Sequence, residues 1–518
     1  MNEPARSRSL QLNPFDRLVG WFSPRAALQR AHLRQVLSYY EAAQPSRLHK
    51  GRRSPGTGNI SVQRAGRNLR EQARYFEENH DLAVGVLNEL VNKTIGPNGI
   101  QCEPQPLTKD GDIHEEFAGE LLALWKDFCE KPEVTWQHDW PSAQRLLARS
   151  WYRDGDVFAQ MLMGAVPYLD HGTKVPFSLE MMEADLVPFE YSLPPTIVQG
   201  VELNAWGRPT GYWVLLQPPG DVFQGFAIVP TNMKRIPADR MLTIKTAARI
   251  RQIRGVSVFA STFTRLDDLK DYEESERIAA KVAASMAAFI KKGAPDQYEN
   301  PTGEGEKELR ELKFRPGMVF DDLQPGEEIG LIDTKRPNAN LVAYRQGQLR
   351  GVASGTGSSY SSIARDYNGT YSAQRQEMVE SYANYMTLGG EFVARMARPV
   401  YKNFVNLAIA SGQVKVPQNL IPATINDAIY LGPQMPWIDP ESEAAAWVIL
   451  ETAGYASGPE IIRRRGMSPH DLLAQEKRWR GMAEKAGITF TPMVPAAPAA
   501  GASPAAALAT HLRKGGSL

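Results

Sequence analysis

The sequence predicts an α+β chain of several domains, and three observations carry that expectation. Between Trp151 and Ile250 short β-like runs alternate with turn signals. Phe259 to Lys292 contains neither Pro nor Gly and reads as one long helix. Finally, 42 Gly and 37 Pro in 518 residues require many short elements and long connections.

Taken in order, residues 1 to about 60 read as an arm with an amphipathic helix near Arg25 to Tyr40. The linker HKGRRSPGTGN follows. The first 74 residues hold fourteen Arg and Lys against Glu3, Asp16, Glu41 and Glu71. Such an arm suits contact with nucleic acid or an acidic protein surface, and equally a solubilising arm on a neighbouring subunit. A helical region spans Ser61 to Val91, with Leu69, Tyr75, Phe76, Leu82, Val86 and Leu90 as candidate buried positions. Ile113 to Glu130 forms the next helix, with Phe117, Leu121, Leu124, Trp125 and Phe128 expected in the core rather than in a binding site.

The clearest strands are VFAQMLM, FSLEMME, TGYWVLL and MLTIK. The long helix that follows would span roughly 50 Å at about 1.5 Å per residue. Its first half is dense in acids, Asp267, Asp268, Asp271, Glu273, Glu274 and Glu276, whereas IAAKVAASMAAFI is small and apolar. Residues 293–340 are turn-rich, with KFRPGMVF and EEIGLI as strand candidates. A helix from Leu341 then ends at Gly355 to Gly357. Another helical pattern runs to about Ala410, with Met378, Tyr382, Met386, Val393, Met396, Phe404 and Leu407 as its buried stripe and a bend expected at Gly389, Gly390 and Pro399. The last helices fall at Pro440–Gly454, Gly458–Arg465 and Pro469–Ala486. Beyond Pro492 the Ala/Pro/Gly-rich tail lacks the bulk to fold.

Composition narrows the function classes. No run of eighteen apolar residues occurs, so no membrane span is expected, and the N-terminus lacks the apolar core of a secretory signal. Cys102 and Cys129 alone do not make a disulfide framework, which fits a reducing, cytoplasmic origin. The carboxylates Asp154, Asp156, Glu180, Glu183 and Asp185 leave metal-dependent hydrolysis or nuclease chemistry open as an alternative, although no histidine stands beside them at ligand spacing. Walker, G-x-S-x-G and H-E-x-x-H motifs are absent, and GTGSSYSS lacks the Lys of a phosphate loop. No recognition-helix module accompanies the basic arm, which weighs against a sequence-specific DNA binder.

The most informative stretch is LRGVASGTGSSYSSIARDYNGTYSAQR, Leu349 to Arg375, a polar loop with aromatic faces and cationic heads between two helical patterns. Gly357, Ser359, Tyr360, Ile363, Asp366, Tyr367, Tyr371, Ser372 and Arg375 fit the pattern G-x-S-Y-x-x-hydrophobic-x-x-D-Y followed by Y-S-x-x-R. That pattern resembles the lambda-type family of bacteriophage portal proteins. The likeness extends through Leu124-Trp125, Arg153-Asp154-Gly155-Asp156, LEMMEAD, Gly200-Val201-Glu202, Gly207-Arg208-Pro209, Arg251 to Ser257, Leu323 with Pro325-Gly326-Glu327, and Ile438-Asp439-Pro440. Thr370, Thr243 and Met467 depart from the residues the family commonly carries there.

The resemblance implies a portal-protein fold: a ring-forming subunit, typically one of twelve, with no catalysis, cofactor or metal. It maps an arm and linker to 1–60, an α+β wing to 61–255, a stem helix to 256–292, and a clip to 293–340. A second stem helix then falls at 341–356, a tunnel loop at 357–372, a wing helix and return segment at 373–435, crown helices at 436–490, and a disordered tail at 491–518. Tyr360, Arg365, Asp366, Tyr367, Asn368, Tyr371 and Arg375 would face double-stranded DNA in the channel without reading sequence. Asp267, Asp268, Asp271 and Glu274 would line the channel, where like charge keeps a polyanion from sticking. Implied partners are the terminase large subunit, the major capsid protein and head-tail joining proteins, at the virion's portal vertex after assembly in the host cytoplasm.

Overall fold

The structure, a computed structural model, describes residues 56–219, 230–285, 289–292, 327–330, 340–435, 440–485 and 487, together with 19, 21–26 and 28–30. Most of the basic arm, the KFRPGMVF strand candidate, most of the clip range and the C-terminal tail lie outside the described residues.

The chain is α+β, as expected. Helices α1 (Gly58–Asn79) and α2 (Asp81–Thr94) replace the single helical region foreseen from Ser61. The break is at His80, whose φ of −132° is extended; its ring stacks on Phe76 with centroids 5.5 Å apart. Strand β1 (Gln101–Pro104) leads to α3 (Glu115–Glu130), where the His114 ring accepts the Phe117 N–H at 3.2 Å. Helix α4 (Trp140–Asp154) is punctuated at both ends. Asp139 caps the Ser142 N–H at 2.9 Å, Pro141 sits in the first turn, and Gly155 closes the helix at φ +91°.

The strands are β2 (Asp156–Met163), β3 (Phe177–Met182), β4 (Ile197–Val198), β5 (Val201–Leu203), β6 (Pro209–Leu215), β7 (Met233–Pro237) and β8 (Met241–Lys245). They make two antiparallel sheets of order β3-β2-β8 and β4-β5-β6-β7. Side-chain alternation along β2 explains how these stack. Val157, Ala159 and Met161 enter the main core beneath the helices, while Phe158 points the other way, into a smaller core with Met182, Tyr212, Val214 and Ile236. The three-stranded sheet is thus buried on both faces. The α3 aromatics are core, as expected: Trp125 and Phe128 lie 5.1 and 5.2 Å from Phe404.

The stretch Phe259–Lys292 is not one helix. Val258–Ser261 is a 3₁₀ turn capped by Ser257, α5 runs over Phe263–Ser285, and β9 (Phe289–Lys292) pairs antiparallel with β10 (Glu327–Gly330). The 23-residue α5 is about 35 Å long rather than the expected 50 Å. Phe289 and Ile290 have strand propensity, and the partner strand lies 37 or more residues downstream, where local periodicity cannot register it.

Helix α6 (Leu341–Thr356) agrees with expectation, and Gly357 at φ +71° terminates it. It runs antiparallel to α5, with Tyr272 and Tyr344 rings 4.8 Å apart and Arg345 donating to Glu273 at 2.7 Å. A Cβ at Gly351 or Gly355 would fall 2.4 Å from Arg265 or 2.5 Å from Thr262, so these glycines provide clearance between helices rather than loop freedom.

After a five-residue α7 (Tyr360–Ala364), α8 (Tyr371–Phe392) passes through a π-helical stretch, Val393–Ala397, into α9 (Arg398–Ala410). The irregularity precedes Pro399, which cannot donate to the carbonyl one turn back. Strand β11 (Ala428–Leu431) pairs with β1. Two expected core positions are instead exposed, Tyr75 on α1 and Met386 on α8. Helices α10 (Pro440–Thr452), α11 (Gly458–Arg464) and α12 (Pro469–Lys485) follow. Arg463 reaches Glu103 at 3.0 Å and Lys126 reaches Asp471 at 3.3 Å.

Candidate functional site

The loop after α6 is more ordered than a solvated connection. Ser359 caps α7, its Oγ donating to Glu377 Oε1 at 2.8 Å. Glu377 also accepts the Ser361 N–H at 3.0 Å and the Ser361 hydroxyl at 2.5 Å. Burial alone would raise the Glu377 carboxyl, but these donors outweigh it and hold it below the usual range. Asn384 donates to the Gly357 carbonyl at 2.8 Å. From α2, Glu89 accepts the Tyr385 hydroxyl at 2.5 Å and the Ser359 N–H at 3.2 Å.

The expected tunnel-loop residues separate into two groups. Tyr360 donates to Asp366 at 2.9 Å, and Asp366 accepts the Asn368 side chain at 3.0 Å; Arg350 lies 5.2 Å from the Tyr360 ring centre. Tyr360 and Asp366 brace the loop across its turn, and Asn368, itself exposed, closes on Asp366. The Tyr360 and Asn368 hydrogen bonds hold the Asp366 carboxyl low. By contrast Arg365, Tyr367, Tyr371 and Arg375 are exposed, with Arg365 at a left-handed φ of +53°. Tyr371 and Arg375 belong to α8 rather than to the loop. Within residues 357–372 the serine-rich half has carboxylate partners and folds as a capped helical turn.

On α5 the buried positions are Phe263, Leu266 and Leu269, against Phe76 and the His80 ring, and further along Glu276, an acid that the sequence placed in the exposed half. Asp267, Asp268, Asp271 and Glu274 are all exposed. Asp267, Asp271 and Glu274 fall at helical spacing on one face. Two of the helix's cations bond elsewhere, Lys270 to the Asn79 carbonyl at 3.0 Å and Arg265 to Gln348 at 3.2 Å, whereas Arg277 stands exposed 4.0 Å from Glu274.

The carboxylates considered for hydrolysis are bound by guanidinium groups. Asp156 and Arg254 are each 1 % exposed and meet at 2.5 Å, and the Gly255 N–H adds a bond at 3.2 Å. Arg254 also donates to the carbonyls of Val187, Gln199 and Ala184 at 2.6, 3.0 and 3.1 Å, and lies between the Phe158 and Phe189 rings. Arg70 bridges Asp156 and Asp185. Arg74 and Arg153 hold Asp154 at 2.9 and 2.8 Å and both reach Glu183. Glu180 pairs with Lys234 at 3.0 Å. Among the described residues no group of three or more His, Cys, Asp or Glu is placed to hold a metal ion. The cluster reads as a structural ion-pair network.

Its titration gives the core a pH dependence. Burial works to raise Asp154 and Asp185, but Arg153 and Arg74 around the first, and Arg70 and Arg74 around the second, hold both below the usual range. A carboxyl lowered by folding stabilises the fold above its unfolded pKa of about 4, and that contribution is lost as pH falls through the folded value. Urea midpoints are therefore expected to fall between pH 5 and pH 3, and Asp185→Asn is expected to flatten the profile. A wild-type midpoint constant across that window would contradict the network's assigned role.

The described residues thus form an α+β body that carries an antiparallel helix pair, an exposed run of acids on α5 and a braced loop. The family model described as phage portal protein, lambda family, matches residues 44–388, and the chain belongs to that family. The probable portal protein of Halomonas phage phiHAP-1 is 23% identical over 455 residues, covering 84% of this chain and 85% of that protein. Portal protein B of Escherichia phage lambda and the portal protein of Escherichia phage N15 are each 24% identical over 307 residues, 54% of this chain and 57% of theirs. Among solved structures, a chain from the neck of a native GTA particle computed with C12 symmetry has a TM-score of 0.42 at 13% identity, covering 79% of this chain and 94% of that one. A chain from the virion of a native gene transfer agent particle has a TM-score of 0.44 at 13% identity, covering 80% and 99%.

Among the described residues no helix is long and apolar enough to cross a membrane.

Proposed function

We propose that this portal-family chain is the subunit of a closed ring, of about twelve copies, at a capsid vertex, forming the channel through which double-stranded DNA is packaged and ejected. The match to the lambda family over residues 44–388 carries the reading. In it, the exposed acids of α5 and the exposed Arg365, Tyr367, Tyr371 and Arg375 face the channel. Acids repel the backbone of passing DNA, while the loop's cations and aromatic rings touch it weakly and without sequence preference. Tyr360 and Asp366 support the loop through their mutual hydrogen bond, to which Asn368 adds a second bond on Asp366. The ring performs no catalysis and needs no cofactor. It presents the clip to the terminase large subunit and contacts the major capsid protein, with head-tail joining proteins docking later. Assembly takes place in the host cytoplasm.

Native mass spectrometry and negative-stain class averages of the full chain test the reading. A ring of about twelve subunits with a central hole is expected, because repeated head-to-tail contacts close only at a fixed order. A persistent monomer at assembly concentrations overturns it. In assembled particles Arg365→Ala and Tyr367→Ala are expected to leave ring mass unchanged and lower DNA content. Full genome content in both variants would remove the loop from the DNA path.

A further inference from the structure

We propose that Glu89 and Tyr385 are positioning residues that latch the base of the loop to the body of the subunit, so that residues 359–363 are fixed and residues 365–370 are the part that moves. The proposal deepens the channel reading and rests on it.

Glu89 is 8% exposed and belongs to α2, a helix of the main core. One oxygen, Oε1, takes both the Tyr385 hydroxyl and the Ser359 N–H, and the Tyr385 oxygen itself accepts that same N–H at 3.0 Å. Three segments far apart in sequence thus meet at one amide. Its second oxygen, Oε2, is buried without a hydrogen-bond partner. Burial raises the Glu89 carboxyl, against the bonds from Tyr385, the Ser359 N–H and the Ser362 side chain and against the Lys93 charge. A half-satisfied buried carboxylate is destabilising relative to an apolar side chain of similar size. Stability of the core therefore does not account for a glutamate here, whereas holding Ser359 does.

Beyond Ile363 the anchoring changes. Asn368, Gly369 and Thr370 are exposed, and the bends fall at the left-handed Arg365 and at Gly369. The Tyr360–Asp366 bond and the Asp366 N–H to the Ser361 carbonyl at 3.2 Å tether this half to the fixed one. A groove of about 400 Å³ between it and α6, lined by Val342, Arg345, Gln346, Tyr360 and Arg365, gives it room to swing. The latch at Ser359 then sets the origin of that swing relative to α2.

Amide hydrogen exchange on assembled full-length rings tests the latch. In wild type the Ser359, Ser361, Ser362 and Ile363 amides are expected to exchange at least tenfold more slowly than those of residues 367–370. Glu89→Leu and Tyr385→Phe are each expected to speed exchange at 359–363 at least tenfold while leaving α4 unchanged. Glu89→Leu should do so without lowering Tm. Particles built with either variant are expected to carry at most half the wild-type DNA. Unchanged exchange at 359–363, a lower Tm with faster exchange throughout the body, or faster loop exchange with full DNA content each overturns the latch. Failure to form a ring in the wild-type chain is the separate result that overturns the channel reading.

Discussion

Arg254→Ala is expected to cost the fold about 3–5 kcal/mol, the range seen when one partner of a buried ion pair is removed. The side chain is 1% exposed and fully engaged. Its removal leaves Asp156, also 1% exposed, with Arg70 at 3.4 Å and the Gly255 N–H as its remaining partners. It also strips donors from the Val187, Gln199 and Ala184 carbonyls and opens a gap between Phe158 and Phe189. Lysine restores the charge but not the planar fork that serves four acceptors at once, so Arg254→Lys should recover only a minor part. Arg254→Met paired with Asp156→Leu removes both charges, yet the three carbonyls stay unpaired, and incomplete rescue is expected. Urea unfolding followed by tryptophan fluorescence measures all three variants. A loss below about 1 kcal/mol for Arg254→Ala would mean that water replaces the guanidinium and that the network is not closed.

This network explains why separate sequence signatures mark the family likeness. Arg153-Asp154-Gly155-Asp156 ends α4 and begins β2, LEMMEAD forms β3 and the turn after it, and Arg251 to Ser257 leads toward α5. In space they converge on one set of guanidinium and carboxylate groups. Gln252 contributes from within the loop, accepting the Ala248 and Arg249 N–H groups and donating to the Arg254 carbonyl at 2.8 Å. The carboxylates were legible as a cluster; their role was not, because Arg70, Arg74 and Arg254 lie 80 or more residues from the acids they pair with.

The same division holds elsewhere. Helices α3, α6, α10, α11 and α12 were legible to within a few residues because caps and apolar spacing are local signals. So were β2, β3, β6 and β8, where period-two alternation sits between turns. The end of α5 was not, since β9 exists through pairing with β10. Arg365 and Tyr367 stand exposed in the loop, and Tyr371 and Arg375 on the first turns of α8. The bracing by Glu89 was hidden by a separation of 270 residues from Ser359. Composition showed a polar loop, and only tertiary contacts show which of its polar groups face inward.

Gly255→Ala is expected to be at least as damaging as the loss of Arg254, for a steric reason independent of charge. A Cβ on Gly255 would lie 1.9 Å from the Gly155 carbonyl oxygen, and one on Gly155 would lie 2.3 Å from the Val256 carbonyl carbon. Two backbone segments touch here with no side chain between them, joined by the Thr246 N–H to Gly155 carbonyl bond at 2.8 Å and the Val256 N–H to Thr246 carbonyl bond at 3.2 Å. Backbone held by ladder bonds on both sides cannot retreat as a side chain would, so the methyl group must displace β8 from β2 or α4 from its cap. Gly155 carries a second penalty, because its φ of +91° suits glycine alone. Gly119→Ala is the contrasting case. It sits exposed within α3, with nothing within 4 Å of the added carbon, and should gain about 0.5–1 kcal/mol from helix propensity. Soluble yield and urea midpoints of the three alanine variants separate the effects: Gly119→Ala is expected above wild type, with Gly155→Ala and Gly255→Ala insoluble or lower by about 3 kcal/mol or more. Wild-type stability in Gly255→Ala would show that the β2–β8 junction yields, and the close approach of these strands would then not be what fixes Arg254 over Asp156.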